Sequence, residues 1–160
     1  MLETLLPGVQ HLQNIHPLVV HFPIAFLTGA ALFYFLAWIF RKDTLSTTAF
    51  SLLILGAFSA CVAVGTGLYA EDGVMVSFSA RGNLLIPHKQ LMLVATGLSL
   101  ALTIWALISR SFPKKGRVFF LLLFLVLIGV MPLGADYGAR MVYDYNAGGT
   151  ACSQPIEFTK

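Results

Sequence analysis

Charged residues are scarce in this chain. They make up 11% of the 160 residues, whereas an ordinary soluble domain carries roughly 25%. Hydrophobic residues make up 58%, and they form long apolar runs. A run of about 18 or more such residues is long enough to cross a hydrocarbon core of roughly 30 Å. The scarcity of charge therefore excludes a soluble globular domain and predicts an all-α integral membrane protein.

Cysteine is also rare, and the two copies give no sign of a shared site. Cys61 lies within an apolar run and Cys152 within a polar tail, so no disulfide between them is expected. The chain has no CxxC or CxxCH sequence, the patterns of zinc knuckles and covalently attached c-type haem. It likewise has no nucleophile–base pattern, no phosphate loop and no nucleic-acid-binding surface. The sequence assigns no role to these two cysteines or to His11.

Four apolar stretches predict four transmembrane helices. The predicted bounds are 17–40, 47–70, 84–108 and 118–134, with 143 as an alternative end for the fourth.

The remaining parts of the chain are short. Residues 1–16 are mildly amphipathic, which predicts a segment lying along the membrane interface. Residues 146–160 are polar and rich in glycine, which predicts a flexible tail. The domain prediction is therefore an interfacial segment, a four-helix transmembrane domain over residues 17–145, and a tail.

The positions of the basic residues predict how the helices run. Six of the ten Lys and Arg residues lie in or beside the connections between spans one and two and between spans three and four. The positive-inside rule makes those two connections cytoplasmic. The predicted architecture is an antiparallel up-down four-helix bundle in a bacterial inner membrane, with both termini periplasmic. The six basic residues are Arg41, Lys42, Arg110, Lys114, Lys115 and Arg117.

The histidines are all predicted to lie toward the periplasmic face. His16 is a predicted N-cap followed by Pro17, which makes His21 the fifth residue of the first helix. Asn83 is a predicted N-cap, which makes His88 the fifth residue of the third helix. At 1.5 Å per residue, both imidazoles are expected about 7 Å below the helix starts. The counts therefore predict that His21 and His88 lie at one depth.

Two imidazoles from different helices can hold haem iron from both sides. The leading hypothesis is a b-type haem bound by His21 and His88 that relays electrons at the periplasmic face. Quinol or a periplasmic cytochrome would be the electron partner. His16 lies about 140° around the helix from His21, which favours a cap or supporting partner over a ligand. One haem supports electron relay but does not by itself make the protein an enzyme.

Small residues follow helical spacing in the second span, at Ala57, Cys61 and Gly65, with Ala60 and Gly67 close by. One interpretation is close packing of helices through a small-residue face. The other is that Gly65 and Gly67, in "VGTG", clear space for the edge of a porphyrin. Both interpretations stay open on the sequence alone.

Basic residues near the periplasmic face are candidate partners for haem propionates. Arg81, Lys89 or Arg140 could neutralise these carboxylates through charge-assisted hydrogen bonds. Arg140 also lies four residues after Asp136, and an exposed ion pair between them would contribute little to stability.

Two other functions compete with haem binding. A zinc or copper ion could bind His21 and His88 with His16 and one acidic residue, Glu71 or Asp72, because imidazole suits both metals. Alternatively, the chain could be a non-catalytic accessory subunit of a larger membrane complex, which would not depend on the histidines. Membrane lipid is an expected contact in every case.

The segment "HPLVVHFPIAF" resembles a bacterial membrane family catalogued as domain of unknown function 2231. The resemblance extends to "GTGLYAED", to His88 and to "GARMVYDYNAG", and it covers nearly the whole chain. It implies a four-helix membrane module, in some members fused to or encoded beside c-type cytochrome domains, and hence redox work. It also implies that His16, His21 and His88 form the polar signature. The chain departs from the family pattern at Tyr145, where a histidine is usual.

Overall fold

Four long helices make up the fold of this chain. The computed structural model describes residues 15–71, 81–145 and 147, and this part of the chain contains no strand. All four helices are long and apolar enough to cross a membrane, so the prediction of an all-α membrane protein with four spans is confirmed. We number them in chain order: α1 is His16–Phe40, α2 is Asp43–Glu71, α3 is Arg81–Ile108 and α4 is Arg117–Tyr145.

The helices extend beyond most of their predicted ends. α2 begins at Asp43 rather than at residue 47, because its first polar residues bond back into the helix. The hydroxyls of Thr47 and Thr48, for example, each donate to the carbonyl four residues earlier at 3.0 Å. α4 passes through Pro132 without interruption and continues well past Gly134, to Tyr145. The predicted interfacial segment and tail, with His11 and Cys152, fall almost entirely outside the described residues.

α1 is interrupted at Val20, shortly before Pro23. Proline has no N–H, so the carbonyl of Val19 loses its usual helical partner. The backbone of Val20 keeps right-handed angles (φ −62°, ψ −21°), and the two parts therefore form one span. Ile15 occupies the cap position, one residue before the predicted cap at His16.

α3 opens with a π-helical turn, Arg81–Leu85, which continues directly into the α-helix Ile86–Ile108. Asn83 therefore lies inside the first turn instead of capping it. Counted from the observed starts, His21 is the sixth residue of its span and His88 the eighth. The prediction that both are the fifth helical residue is wrong, because neither helix begins at the expected cap.

The helices pack closely as two pairs, α1 with α2 and α3 with α4. Gly56 brings α1 and α2 together: an added Cβ would lie 2.6 Å from Cδ2 of Leu27. Gly134 does the same for α4 against Met92 of α3. Ala57 of the predicted small-residue face is buried, but Cys61 and Gly65 are exposed. The packing face of α2 therefore includes Ala57 and Ala60 as predicted, but it continues through Ala49, Leu53, Gly56, Ala63 and Ala70 and not through Cys61 and Gly65.

An aromatic cluster closes one end of the bundle around Tyr34, whose side chain is fully buried. The Tyr34 hydroxyl donates to the carbonyl of Ser111 at 2.7 Å. The hydroxyl of Ser111 in turn donates to the carbonyl of Ser46 at 2.8 Å. The connection between α3 and α4 is thereby held against α1 and against the first turn of α2. The surrounding rings are those of Phe112, Phe120 and Phe124, with centroids 5.0, 5.0 and 5.3 Å from that of Tyr34.

Candidate functional site

His16 opens α1 and directs its imidazole toward α2. Its Nδ1 lies 3.1 Å from the hydroxyl oxygen of Thr66. The single hydroxyl proton of Thr66 is donated to the carbonyl of Ala63 at 3.0 Å, so the hydroxyl accepts from the ring. We therefore assign the ring proton of His16 to Nδ1. The ring also interacts with the backbone of Ala63.

Gly67 makes room for the His16 ring. An added Cβ would lie 2.9 Å from Cε1 and 3.3 Å from Nδ1 of that imidazole. Any other residue would press the ring away from α2. The sequence "GTG" near the end of α2 therefore supplies both the hydrogen-bond acceptor, Thr66, and the space that the ring occupies.

His88 is held on α4 in a similar way. Its Nδ1 lies 2.7 Å from the carbonyl oxygen of Gly134. A carbonyl can only accept, so Nδ1 carries the ring proton, and in the neutral ring Nε2 is the nitrogen with the lone pair. Gly138, one turn further along α4, leaves space for the ring, because an added Cβ would lie 2.9 Å from Cε1 of His88.

The two histidines are equivalent in their surroundings, and we call them the histidine pair. Each lies near the start of α1 or α3, packs on a glycine near the end of the following helix, and donates from Nδ1 to an oxygen of that helix. His16 and His88 are also close enough to interact electrostatically. A hydrogen bond from one ring nitrogen is the usual way that proteins orient a metal-ligating imidazole. The arrangement is thus suited to ligation through Nε2.

His21 is not brought into this arrangement, because its side chain is exposed. The sequence signal that favours His16 is the glycine on the neighbouring helix. In α2 the glycine that faces His16, Gly67, directly follows the hydrogen-bond acceptor Thr66. In α4 the glycine that faces His88, Gly138, lies four residues after the acceptor Gly134. Counting residues from a cap cannot detect this pairing, since it joins positions about fifty residues apart.

An ion-pair network lies beside the histidine pair. The Lys89 ammonium lies 2.9 and 2.8 Å from the two carboxylate oxygens of Glu71. Arg81 approaches the same carboxylate at 3.5 Å. The side chain of Glu71 is only 16% exposed, against 35% for Lys89 and 56% for Arg81. This network ties the end of α2 to the start of α3, next to His88.

The other candidate residues lie around the histidine pair or away from it. Arg140 pairs with Asp144 at 3.6 Å, instead of with Asp136, and both side chains are about half exposed. Gly65 is exposed, and an added Cβ there would meet nothing within 4 Å. Asp72 lies outside the described residues.

The described part of the chain contains no larger cluster of potential metal ligands. No group of three or more His, Cys, Asp or Glu side chains is arranged there to hold a metal ion. The histidine pair thus offers two nitrogen ligands, and the neighbouring carboxylate of Glu71 is already engaged by two cations.

The comparison with known proteins identifies one family. Residues 12–151 match the family described as "Predicted membrane protein (DUF2231)". No curated protein and no solved structure gives a significant match. The matched residues include all four helices and the histidine pair, and they make up most of the chain. The chain therefore belongs to the membrane protein family DUF2231, as its sequence signature predicted.

Proposed function

We propose that this protein binds one b-type haem, with His16 and His88 as the two axial ligands, and relays electrons at one face of the membrane. The observation that carries the proposal is the histidine pair itself. Two non-consecutive helices each contribute an imidazole whose Nδ1–H is engaged by the neighbouring helix. That engagement fixes the ring orientation and raises the basicity of the ligand nitrogen, Nε2.

The number of ligands favours haem over zinc. A porphyrin supplies four nitrogens to its iron, so two protein ligands complete the coordination. Zinc in proteins takes three or four side-chain ligands, and no such group is arranged among the described residues. When bound, the haem would supply one-electron redox chemistry, and the protein's part is to hold and orient it.

His16 replaces His21 in this proposal. The His21 side chain is exposed, whereas the His16 ring is fixed between Thr66 and Gly67. The role of Gly67 changes accordingly, because it receives the His16 ring and not a porphyrin edge. Gly65 has no neighbour that would need its small size and is left out of the site.

Arg81 and Arg140 remain the proposed partners of the haem propionates. Each keeps more than half of its side chain exposed, 56% and 53%, so each can turn toward a bound carboxylate. Arg81 already touches Glu71 at 3.5 Å, and a propionate would compete for it. Charge-assisted hydrogen bonds from guanidinium to carboxylate are among the stronger ones in proteins.

The proposed topology is an antiparallel up-down bundle with both termini periplasmic, in an inner membrane. Two contacts support the alternation of direction. The start of α1 touches the end of α2 through His16 and Thr66, and the start of α3 touches α4 near its end through His88 and Gly134. The basic connections then face the cytoplasm. The histidine pair lies at the periplasmic face, where quinol or a periplasmic cytochrome would exchange electrons with it.

Copper is the second candidate for binding at this site, because the sulfur of Met92 lies close to the residues that hold His88. The Met92 sulfur lies 3.6 Å from the position of an added Cβ on Gly134, and the carbonyl of that glycine accepts the hydrogen bond of His88. Met92 is also one turn after His88 on α3. Thioether and imidazole together suit copper better than zinc.

Pigment analysis of purified protein tests the proposal. Wild type and the His16→Ala, His88→Ala and His21→Ala variants are extracted in mild detergent, and their oxidised and reduced spectra are recorded with iron and copper content. We expect a Soret band and sharp reduced bands in wild type and His21→Ala, and neither in the other two. Gel filtration confirms that each variant folds.

Other outcomes would replace the proposal. Colourless wild type with copper that depends on His16 would establish the second candidate. Colourless, metal-free protein whose partner assembly survives all three substitutions would leave the accessory-subunit function. Loss of pigment in His21→Ala but not in His16→Ala would return the ligand role to His21.

A further inference from the structure

Two arginines adopt an unusual backbone conformation where α1 and α3 end. Arg41 and Arg110 have φ of 52° and 55°, in the left-handed region that follows many helices. Glycine is the usual residue there, because a side chain in this conformation costs backbone energy. Both helices nevertheless carry arginine. Both arginines lie within two residues of a helix C-terminus, where a basic side chain interacts favourably with the helix dipole.

No ion pair within the described residues neutralises the positive charge around these arginines. Lys42, Lys114 and Lys115 are exposed beside them, and we call the five residues the basic collar. The described connections, residues 41–42 and 109–116, contain no acidic residue, and Asp43 at the start of α2 is the acidic residue next to them. The ion pairs among the described residues all lie elsewhere, at Glu71 and Asp144.

The connection that carries Arg110 is hydrogen-bonded to the two helices on either side of Arg41. Ser111, which follows Arg110, donates from its hydroxyl to the carbonyl of Ser46 at 2.8 Å. Ser46 is one turn after Lys42. The carbonyl of Ser111 also accepts from the buried hydroxyl of Tyr34 in α1, at 2.7 Å. These two bonds therefore hold Ser111, and with it the backbone of the neighbouring Arg110, against the helices on either side of Arg41.

Arg117, at the same end of the bundle, differs from the collar because its guanidinium group is bound by neighbouring residues. Its Nε donates to the carbonyl of Pro113 at 3.2 Å, and its guanidinium stacks on Phe112 at 4.5 Å from the ring centroid. Arg117 is therefore bound by the protein itself and does not belong to the collar. Arg41 and Arg110 are instead exposed at the ends of membrane-spanning helices, at the level where lipid headgroups begin.

We propose that the basic collar binds the phosphate headgroup of an anionic phospholipid, with Arg41 and Arg110 as its principal contacts. Guanidinium groups bind phosphate oxygens in a bidentate manner that ammonium groups cannot reproduce. Anionic lipids attract basic residues at the membrane surface in any case. The placement of two arginines at one end of the bundle adds selectivity for a headgroup at one position. This site is independent of haem binding at the histidine pair.

Lipid titration of the purified, full-length protein tests the site. The protein in neutral detergent receives phosphatidylglycerol or phosphatidylcholine, and its unfolding temperature and retained lipid are measured. The key variant is Arg41→Gly with Arg110→Gly. Since glycine accepts the left-handed backbone, this variant is expected to unfold in phosphatidylcholine at a temperature equal to or above that of wild type. Its preference for phosphatidylglycerol should be lost.

A matched variant, Lys114→Ala with Lys115→Ala, removes the same charge from the same surface. If binding is due to diffuse electrostatic attraction alone, each basic residue removed weakens anionic-lipid binding about fivefold. The two double variants would then lose the same affinity for phosphatidylglycerol. If the proposed site exists, the affinity for phosphatidylglycerol should fall on the order of tenfold more in the arginine variant than in the lysine variant.

Three results would overturn the proposal. The first is an equal loss in the two double variants, and the second is a wild type with no preference for phosphatidylglycerol over phosphatidylcholine. The third is stabilisation by inorganic phosphate to the same extent at the same concentration, which would identify a free-anion site and not a lipid site. None of these three results involves the histidine pair, so failure here is distinct from failure of the haem proposal.

Discussion

The two ends of the bundle differ in where their ionisable side chains lie. At the histidine pair, ionisable side chains lie partly buried between helices, and each is engaged by a neighbouring helix. At the opposite end, the interior is a neutral aromatic cluster around Tyr34, and the cations of the collar are exposed. Ionisable groups within a membrane span are costly and usually functional. The first end therefore holds partly buried ionisable groups, and the second end holds buried neutral contacts that support the fold.

The comparison also separates two kinds of hydrogen bond. Tyr34 bonds a carbonyl of a connection and so fixes the backbone where no ionisable group is needed. His16 and His88 bond oxygens of neighbouring helices and so fix the direction of their own rings. The first bond serves the fold. The second leaves a basic nitrogen in a set orientation, which is a requirement for binding iron.

Replacing Tyr34 should produce the largest loss of stability. Tyr34→Ala removes a fully buried ring that contacts three phenylalanines, and comparable aromatic truncations cost about 3–5 kcal/mol. The measurement is the free energy of unfolding in detergent. Phe35→Ala, at a neighbouring position that is 48% exposed, is the control and should change stability little. Equal losses in the two variants would show that the aromatic cluster does not hold this end together.

Substitution of the two site glycines should have an intermediate effect confined to the histidine end. Gly67→Ala and Gly138→Ala each place a Cβ 2.9 Å from Cε1 of a site histidine, so the ring must move. Overpacking of this kind costs about 1–3 kcal/mol, and the haem content should fall with it. Both the unfolding free energy and the pigment-to-protein ratio are measured.

Matched glycines on the same helices provide the control for that prediction. Gly65→Ala in α2 and Gly129→Ala in α4 meet nothing within 4 Å, and alanine is the better helix former. These variants should retain pigment and be as stable as wild type or slightly more so. If they lose as much pigment as the site variants, the glycines act through the helix backbone and not through the histidine rings.

Breaking the partly buried ion pair should cost less. Lys89→Met leaves the Glu71 carboxylate, 16% exposed, without its closest cation. Breaking a fully buried pair costs about 3–5 kcal/mol, but Lys89 is about a third exposed and Arg81 remains nearby, so about 1–2 kcal/mol is expected after screening by solvent. Chemical denaturation measures this loss of unfolding free energy. Restoration by Glu71→Gln in the same chain would confirm that the stranded charge causes the loss.

Breaking the exposed pair at Arg140 should have the smallest effect. Both side chains are about half exposed and 3.6 Å apart, so Asp144→Asn should change stability by about 0.3–0.5 kcal/mol. Its effect should disappear at high salt, whereas that of Lys89→Met should persist. Similar salt dependence for the two variants would indicate that the Glu71 network is as exposed as the Arg140 pair.

The existence of four spans follows from hydropathy, because a helix that crosses lipid must satisfy its backbone internally and present apolar side chains. The helix starts do not follow in the same way. Asn83 looks like a cap, but the chain continues helically two residues before it, through the π-helical turn at Arg81–Leu85. A count that begins at the wrong residue then assigns the wrong depth to every residue after it.

The choice between His16 and His21 depends on tertiary packing, which residue counts do not contain. The His16 ring is fixed by Thr66 and Gly67, fifty residues away in the sequence. The Glu71–Lys89 pair escaped prediction for the same reason, since it forms only when the end of α2 meets the start of α3. Glycines facing histidines are the available signal, but the sequence leaves open whether Gly67 serves helix packing or clears space for a ligand.

The most direct test of the central claim is the haem-to-protein ratio of His16→Ala measured beside that of His21→Ala. If the histidine pair binds haem, His21→Ala carries one haem per chain, as wild type does, and His16→Ala carries almost none while still folding. Haem retained in His16→Ala but lost in His21→Ala, or wild type purified under haem-replete conditions without any haem, would contradict the account.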